Sequence, residues 1–290
     1  MYVARLSIVA IPLTRCVVPG FSPKLVKTII YMVPELGLFR KLYESRMRFK
    51  PFSITPVFSE DGKPLLGDRS HVVEPGSRLS FSISIAFSDP STIEGLGFDQ
   101  RVVEPRAGQR MLVSLDSVEI VSIESLSIGL ERGKLVRLRF VSPVLLSSKL
   151  MAPPLPHFLK RVSKIRERYV LYPSSAHICS YLTKLWNKLF PDNPISRKVS
   201  DEWAAYYMGR LCEVAMVPMD YRTKPVTVNY DRSRKPRGFV GWALYEIGDV
   251  GRKLIAKLDK ILALANYLGL GKSRSIGFGT VRVETVERRE

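Results

Sequence analysis

Acidic residues are scarce: 27 Asp and Glu stand against 45 Lys and Arg in 290 residues, a formal charge of +18. That imbalance points to a polyanionic partner, either nucleic acid or an anionic membrane surface. Long hydrophobic runs are also missing. No stretch approaches the roughly 20 apolar residues of a membrane span, and the run over residues 6–13 contains Pro12, so a transmembrane reading fails. Cysteine is rare. Cys16, Cys179 and Cys212 are far apart, odd in number and never in a CxxC pair, so neither a disulfide framework nor a zinc site is expected, and a reduced, cytoplasmic setting follows. Gln100 and Gln109 are the only glutamines, a weak trend of heat-adapted proteins. Arg5, a short apolar run and Arg15 have the look of a leader, but Pro19-Gly20-Phe21-Ser22-Pro23 is a poor small-residue cleavage site, and residues 2–11 read as a first strand.

What is present suffices for a core, since 46% of the chain is hydrophobic, and the length fits one large domain or two ordinary ones. Strand-like alternation appears at 2–11, 52–58, 78–87 and 111–123, with a helical pattern from Pro23 to about Val33. Asp61-Gly62 marks a hairpin, because both residues tolerate positive φ. The second half reads strand (134–141), helices (176–189 and 201–214), strands (226–230 and 237–247), helix (250–268) and strand (276–286). Residues 151–157 form a proline-rich connection. These are two successive passes of the order expected for ferredoxin-like modules, although the second helix of the first pass is hard to see. The fold expected is α+β: two tandem ferredoxin-like (RNA-recognition-motif-like) modules with antiparallel sheets, 1–130 and 131–290, joined near 124–134.

Near the carboxyl end stands a glycine-rich loop containing Gly269, Gly271, Lys272, Ser273, Arg274, Ser275, Gly277 and Gly279. It follows a helix and precedes a strand. A nucleotide-binding P-loop runs in the opposite order and needs a glycine where this chain has Asn266. The dinucleotide fingerprint fails as well, because its third glycine would fall at Arg274. No cofactor is expected. Glycines let a backbone approach phosphates, Lys272 and Arg274 add charge, and Ser273 and Ser275 add hydroxyl donors, so RNA backbone is a suitable ligand. The plainer alternative is that Gly269 caps the preceding helix while Gly277 and Gly279 mark a bulge. Two cations among four glycines favour the ligand.

A second candidate site lies on the first helix, with Ser22 expected as its cap and Pro23 as its first residue. At about 100° per residue, Lys24, Lys27, Thr28 and Tyr31 share one arc, and Leu25, Val26, Ile29, Ile30 and Val33 fill the other. One face packs, and the other is either solvated or meets RNA. The run Arg232-Ser233-Arg234-Lys235-Pro236-Arg237 offers clustered cations for phosphates, with Arg234 and Lys235 as the binding candidates and a solvated hairpin tip as the alternative. His71, His157 and His177 lie in other segments.

Gly-hydrophobic-Gly, five residues, then Gly-hydrophobic-Gly resembles the loop of the CRISPR repeat-processing endoribonuclease family, Cas six. Arg137-Leu138-Arg139-Phe140-Val141-Ser142-Pro143 is similar to that family's strand ending in Ser/Thr-Pro, and Arg237-Gly238-Phe239-Val240-Gly241-Trp242 to its late strand. The resemblance implies cutting of CRISPR repeat RNA by the RNA's own 2′-hydroxyl, which requires no metal. It also implies that the first helix and the segment after it carry the catalytic side chains, matching Lys27, Tyr31 and Lys50. Many members have a histidine before the second strand, where this sequence offers Tyr43. Lys27 is then the leading base or acid, Lys24 and Lys50 stabilise phosphate, and Tyr31 positions or relays a proton. An isolated lysine, with a pKa of about 10.4, is a poor base at neutral pH, so crowding by the other cations is part of the expectation. The expected partners are CRISPR repeat RNA, a CRISPR effector complex and a second copy of the chain, with no membrane. A non-catalytic guide-RNA-binding subunit is the competing reading.

Overall fold

The computed structural model describes residues 1–47, 49–231 and 233–287. Its elements, in chain order, are β1 (Tyr2–Pro12), β2 (Cys16–Val18), α1 (Pro23–Met32), α2 (Gly37–Glu44), β3 (Phe52–Ile54), β4 (His71–Val73), β5 (Leu79–Phe87), β6 (Arg101–Arg106), β7 (Gln109–Ser122), β8 (Leu135–Val144), β9 (Leu146–Ser147), α3 (Pro156–Lys164), β10 (Tyr169–Val170), α4 (Ser175–Leu189), α5 (Asp201–Ala215), β11 (Met216–Thr227), β12 (Arg237–Ile247), α6 (Arg252–Leu268) and β13 (Val281–Val286). The chain forms two units. The first comprises 1–122, 228–235 and 274–277, and the second comprises 123–227, 236–273 and 278–290.

In the first unit the sheet order is β3-β5-β1-β7-β6, and every pair is antiparallel. With β6 set aside as an added edge, β3-β5-β1-β7 is the ferredoxin-like order, and the expected fold class holds. Ala4, Leu6, Ile8 and Ala10 of β1 alternate onto a core shared with Ile29, Ile30, Phe39, Phe52 and Ile83. The second helix of this pass is replaced by a short 3-10 turn, Pro90–Ile93, which explains its faint trace in the sequence. β3 ends earlier than expected because Pro56 cannot donate to a ladder, although Phe58 still bridges Ser80. Asp61-Gly62 does form the turn: Gly62 has φ 72°, and Ser59 N–H donates to the Lys63 carbonyl at 2.9 Å.

The second unit repeats the order, β11-β12-β8-β13. Val136, Leu138 and Phe140 of β8, Ala243 and Tyr245 of β12, and Val281 and Val283 of β13 are buried, with α6 packed beside β13. The strand expected at 226–230 is in fact β11, ten residues earlier at its start; Pro218 and Pro225 read as breakers, but this is an edge strand that tolerates them. The expectation of unpaired cysteines is corrected for two of the three. Helices α4 and α5 pack side by side, bringing Cys179 and Cys212 to a Cα separation of 6.4 Å, where they form a disulfide, a proximity that a sequence separation of 33 does not announce. Cys16 is free and buried.

Candidate RNA-cutting site

Helix α1 is oriented by its apolar face. Leu25, Val26, Ile29, Ile30 and Val33 are all buried. At roughly 1.5–3 kcal/mol per buried aliphatic side chain, five of them contribute on the order of 10 kcal/mol before entropic costs, far more than a polar surface face supplies. Packing therefore decides the rotation of the helix. Lys24, Lys27, Thr28 and Tyr31 are left on the open side. Pro23 occupies the first turn as expected, whereas Ser22 does not cap: its hydroxyl accepts from Val57 N–H at 3.0 Å, and its backbone is already helical.

Around this face the first unit gathers aromatic rings. The Lys27 ammonium lies 5.8 Å from the Tyr31 ring centroid and 5.4 Å from that of Tyr43 on α2. The two rings are 6.1 Å apart. Lys24 lies 5.4 Å from the ring of Tyr230, and the Arg234 guanidinium lies 5.0 Å from the same ring. Ring faces attract cations and hold them in place without supplying a counter-charge. The Thr28 hydroxyl instead donates to the Lys24 carbonyl at 3.0 Å.

Two phenols of the cluster, Tyr43 and Tyr230, are held in their neutral form. Burial pushes Tyr43 far above the usual phenol range, and the neighbouring Tyr230 and Tyr31 add to the shift. Its hydroxyl donates to the Ser275 carbonyl. Tyr230 is raised too, first by burial and then by Asp231, with Arg234 opposing. Burial also works to raise Asp231, but hydrogen bonds from Arg234 and Ser233 prevail and hold its carboxyl at about 2. Arg234 thus combines an ion pair to Asp231 (Nε to carboxylate, 2.5 Å) with an open flank, and Lys235 is exposed. Arg232 falls outside the described residues.

Two of the candidate cations are engaged by backbone carbonyls. Lys50 is the first. Its ammonium donates to the carbonyls of Leu42, Tyr43 (3.0 Å) and Ser45 (2.9 Å), which uses its three donors as a cap on the carboxyl end of α2. Burial accordingly lowers its pKa. Arg274, expected to contact phosphate, is only 5% exposed and donates to the Lys50 carbonyl at 3.1 Å, anchoring the loop centre.

The glycines of the loop also answer to the protein itself. Gly269 terminates α6 with φ 71°, as the plainer reading had it. A Cβ on Gly269 would meet the Gly279 carbonyl oxygen at 2.6 Å, one on Gly271 the Leu145 carbonyl oxygen at 2.8 Å, and one on Gly279 the Leu270 carbonyl oxygen at 1.8 Å. At Gly277 it would lie 2.2 Å from Cβ of Pro23, on the first turn of α1. The space that glycine leaves is filled by chain rather than held open for phosphate. Lys272 is paired with Glu167, its ammonium 2.6 and 2.7 Å from the two carboxylate oxygens. Ser273 is exposed at φ 64°, the one non-glycine residue at positive φ among those described.

The structure therefore brings Lys24, Lys27 and Tyr31 together with Arg234 and with Ser275 from the middle of the glycine loop, all in the first unit, while Lys272 and Ser273 belong to the second. Tyr43 and Tyr230 are the members that sequence reasoning missed. Tyr43 was visible as the residue standing in place of a family histidine; Tyr230 had only its position beside the basic run. The three histidines sit on other elements, His71 in β4, His157 in α3 and His177 in α4.

A two-module ferredoxin-like protein with a cationic, tyrosine-lined helix face is the class that this geometry defines. Comparison with known proteins gives it a family. Residues 138–281 match the family model for the CRISPR-associated endoribonuclease Cas6, and residues 3–121 match that for the Cas6 N-terminal domain. The chain is 32% identical over 282 residues to CRISPR-associated endoribonuclease Cas6 2 of Saccharolobus solfataricus, covering 94% of this chain and 93% of the relative. It is 30% identical to Cas6 1 of the same organism, covering 97% and 96%. The chain belongs to the Cas6 family. Among solved structures it is similar in fold to Thermus thermophilus Cas6, with a TM-score of 0.60 at 17% identity, covering 98% of this chain and 99% of that one.

Proposed function

We propose that this chain is a metal-independent endoribonuclease that cuts CRISPR precursor RNA within its repeats and so produces guide RNAs. The observation that carries the reading is the Lys27 ammonium set between two tyrosine rings on an open helix face, with Lys24 one turn away. RNA supplies the nucleophile. The 2′-oxygen bonds to phosphorus and loses its proton, the bond from phosphorus to the 5′-oxygen breaks, and that oxygen takes up a proton. One fragment ends in a 2′,3′-cyclic phosphate or its 3′-phosphate product, and the other begins with a 5′-hydroxyl. Lys27 is the leading proton-transfer group, Lys24 stabilises charge on the phosphorane, and the half-exposed Tyr31 positions the ribose or relays a proton. Tyr43 and Lys50 are positioning residues: the first ties α2 to the loop through Ser275, and the second closes the end of α2. Arg234, Lys235, Lys272 and Ser273 hold the RNA backbone. On this reading cutting belongs to the module 1–130, completed by 228–235 and 274–277, and the module 131–290 holds RNA.

The test is Lys27→Ala assayed for single-turnover cutting of repeat RNA and for binding of the same RNA. Cutting is expected to fall at least a hundredfold, the usual scale for losing a general acid or base, while affinity changes little. Wild-type cutting by K27A overturns the assignment of Lys27. Binding without any cutting by the wild-type chain would instead make it a guide-RNA-binding subunit.

A further inference from the structure

In the first unit, α1, β2 and the β6–β7 hairpin surround a cavity of about 150 Å³ that opens to solvent. Pro105 has no N–H for the ladder, and the β6–β7 register shifts between Val103 and Arg106, a bulge that bends the strand short of its turn. The neighbouring β2 is only three residues long. Its Val17 N–H is satisfied by a side chain rather than a strand, donating to Gln109 Oε1 at 3.1 Å. The wall is mostly apolar and includes the buried Val18, Leu25 and Met111. Lys24, Thr28, Gln109 and the exposed Arg106 supply its polar groups. A few polar groups set in an apolar wall are the make-up of a site for a small planar ligand.

We infer that this cavity seats one pyrimidine base of the RNA, next to the phosphate that meets Lys27. Size selects the ring. A cavity of about 150 Å³ accepts one six-membered aromatic ring, and the second ring of a purine has no room. Hydrogen bonding selects the edge. Because Val17 N–H holds Gln109 Oε1, the orientation of the amide is fixed, and its N–H groups have no protein acceptor among the described residues. Together with Lys24 and Arg106 they offer donors to a ring carbonyl. The Thr28 hydroxyl gives its proton to the Lys24 carbonyl at 3.0 Å, so towards a ligand it accepts. Uracil presents carbonyl oxygens with an N–H between them, and cytosine a carbonyl with an amino group, so either edge uses these donors and this acceptor. Position supplies the third argument. Lys24 belongs both to the cavity wall and to the cationic face of α1, and side chains three apart on a helix start about 5–6 Å from one another. A base in the cavity therefore leaves its backbone at Lys24 and the next phosphate at Lys27. Unpaired bases are read in this way, splayed from the strand and bonded along an edge. The plainer role of Gln109, pinning β2 to β7, uses its oxygen alone. The inference rests on the reading that the chain handles RNA, but not on its cutting RNA.

The test is fluorescence anisotropy with labelled oligouridylate and oligoadenylate of equal length, neither of which carries repeat sequence. The wild-type chain should bind oligouridylate about tenfold more tightly, the scale of one seated base with its hydrogen bonds. Val17→Phe puts a ring into the cavity and should bring the two affinities together by weakening oligouridylate alone. Gln109→Glu keeps an acceptor for Val17 N–H but removes the amide donors, so it should also narrow the ratio. Comparing each variant's ratio with that of wild type cancels the base stacking of free oligoadenylate and the charge that Glu adds. Equal wild-type affinities, or an unchanged ratio in either variant, would overturn the site. Should V17F fail to fold, Q109E carries the test alone. A uridine preference that the variants narrow, in a chain that never cuts repeat RNA, would uphold the cavity and refute the cutting proposal; cutting without that preference would do the opposite.

Discussion

Replacing Gly277 with alanine separates two reasons for a glycine in the loop. If the residue is there for close approach of RNA, the apoprotein tolerates Ala apart from its backbone cost. If it is there because Pro23 fills the space, the folded state itself is damaged. The structure supports the second reason, with the new Cβ 2.2 and 2.3 Å from Cβ and Cγ of Pro23 at φ 91°. Gly62 is the control, since it has φ 72° and nothing within 4 Å. Alanine in a left-handed conformation costs about 1–2 kcal/mol, so G62A should lose that much. G277A should lose about 2–5 kcal/mol, because overpacking adds roughly 1–3 kcal/mol. At about 3 °C per kcal/mol, the G277A midpoint falls about 3–9 °C below that of G62A. Thermal unfolding without RNA measures the difference. Cutting should suffer as well, because Pro23 begins the helix that carries Lys24 and Lys27, and displacing reacting groups by about 1 Å costs about a hundredfold. Equal midpoints for G277A and G62A would refute the reasoning.

Three further outcomes follow from the second unit. Glu167→Gln releases Lys272 from its carboxylate partner, so RNA affinity should rise in a titration while the thermal midpoint shifts by less than about 1 kcal/mol equivalent, both side chains being partly exposed. Burial lowers the His177 pKa, opposed by the Ser148 backbone and Glu213, so the folded state binds its proton less readily than the unfolded chain. The associated stability is complete above about pH 6.5 and is lost as pH falls through that value towards the lowered pKa; between about pH 8 and about pH 5 the midpoint should drop less in H177N than in wild type. Cys212→Ser opens a link of sequence separation 33, which the chain-entropy relation values at about 3–4 kcal/mol; it should lower the midpoint, and reductant should lower wild type but not the variant.

Legibility in the sequence followed burial. β1, β12, α5 and α6 each turn one face to a core, β5 and α4 are buried over most of their length, and the sequence pattern placed all six within a few residues. β11 has almost no buried positions and two prolines, so neither alternation nor composition announced it. The polar face of α1 was equally plain, since 3.6-residue spacing puts Lys24, Lys27 and Tyr31 side by side. Their partners were not, because Tyr230 and Ser275 lie some 200 residues or more away along the chain and only tertiary contacts deliver them. The contacts of Lys50 and Arg274 were hidden for one shared reason: a cation in a sequence shows its charge but not the carbonyls that claim it. The glycine loop stands out in the sequence, and in the structure its glycines are explained by backbone packed against backbone and proline.

The central claim, attack by RNA's own 2′-hydroxyl, is tested most directly by single-turnover cutting of repeat RNA in excess EDTA, with and without deoxyribose at the scissile nucleotide. The all-ribose substrate should be cut in full and the deoxy-substituted one not at all. Cleavage of the deoxy substrate, or loss of all cutting on chelation, would contradict it.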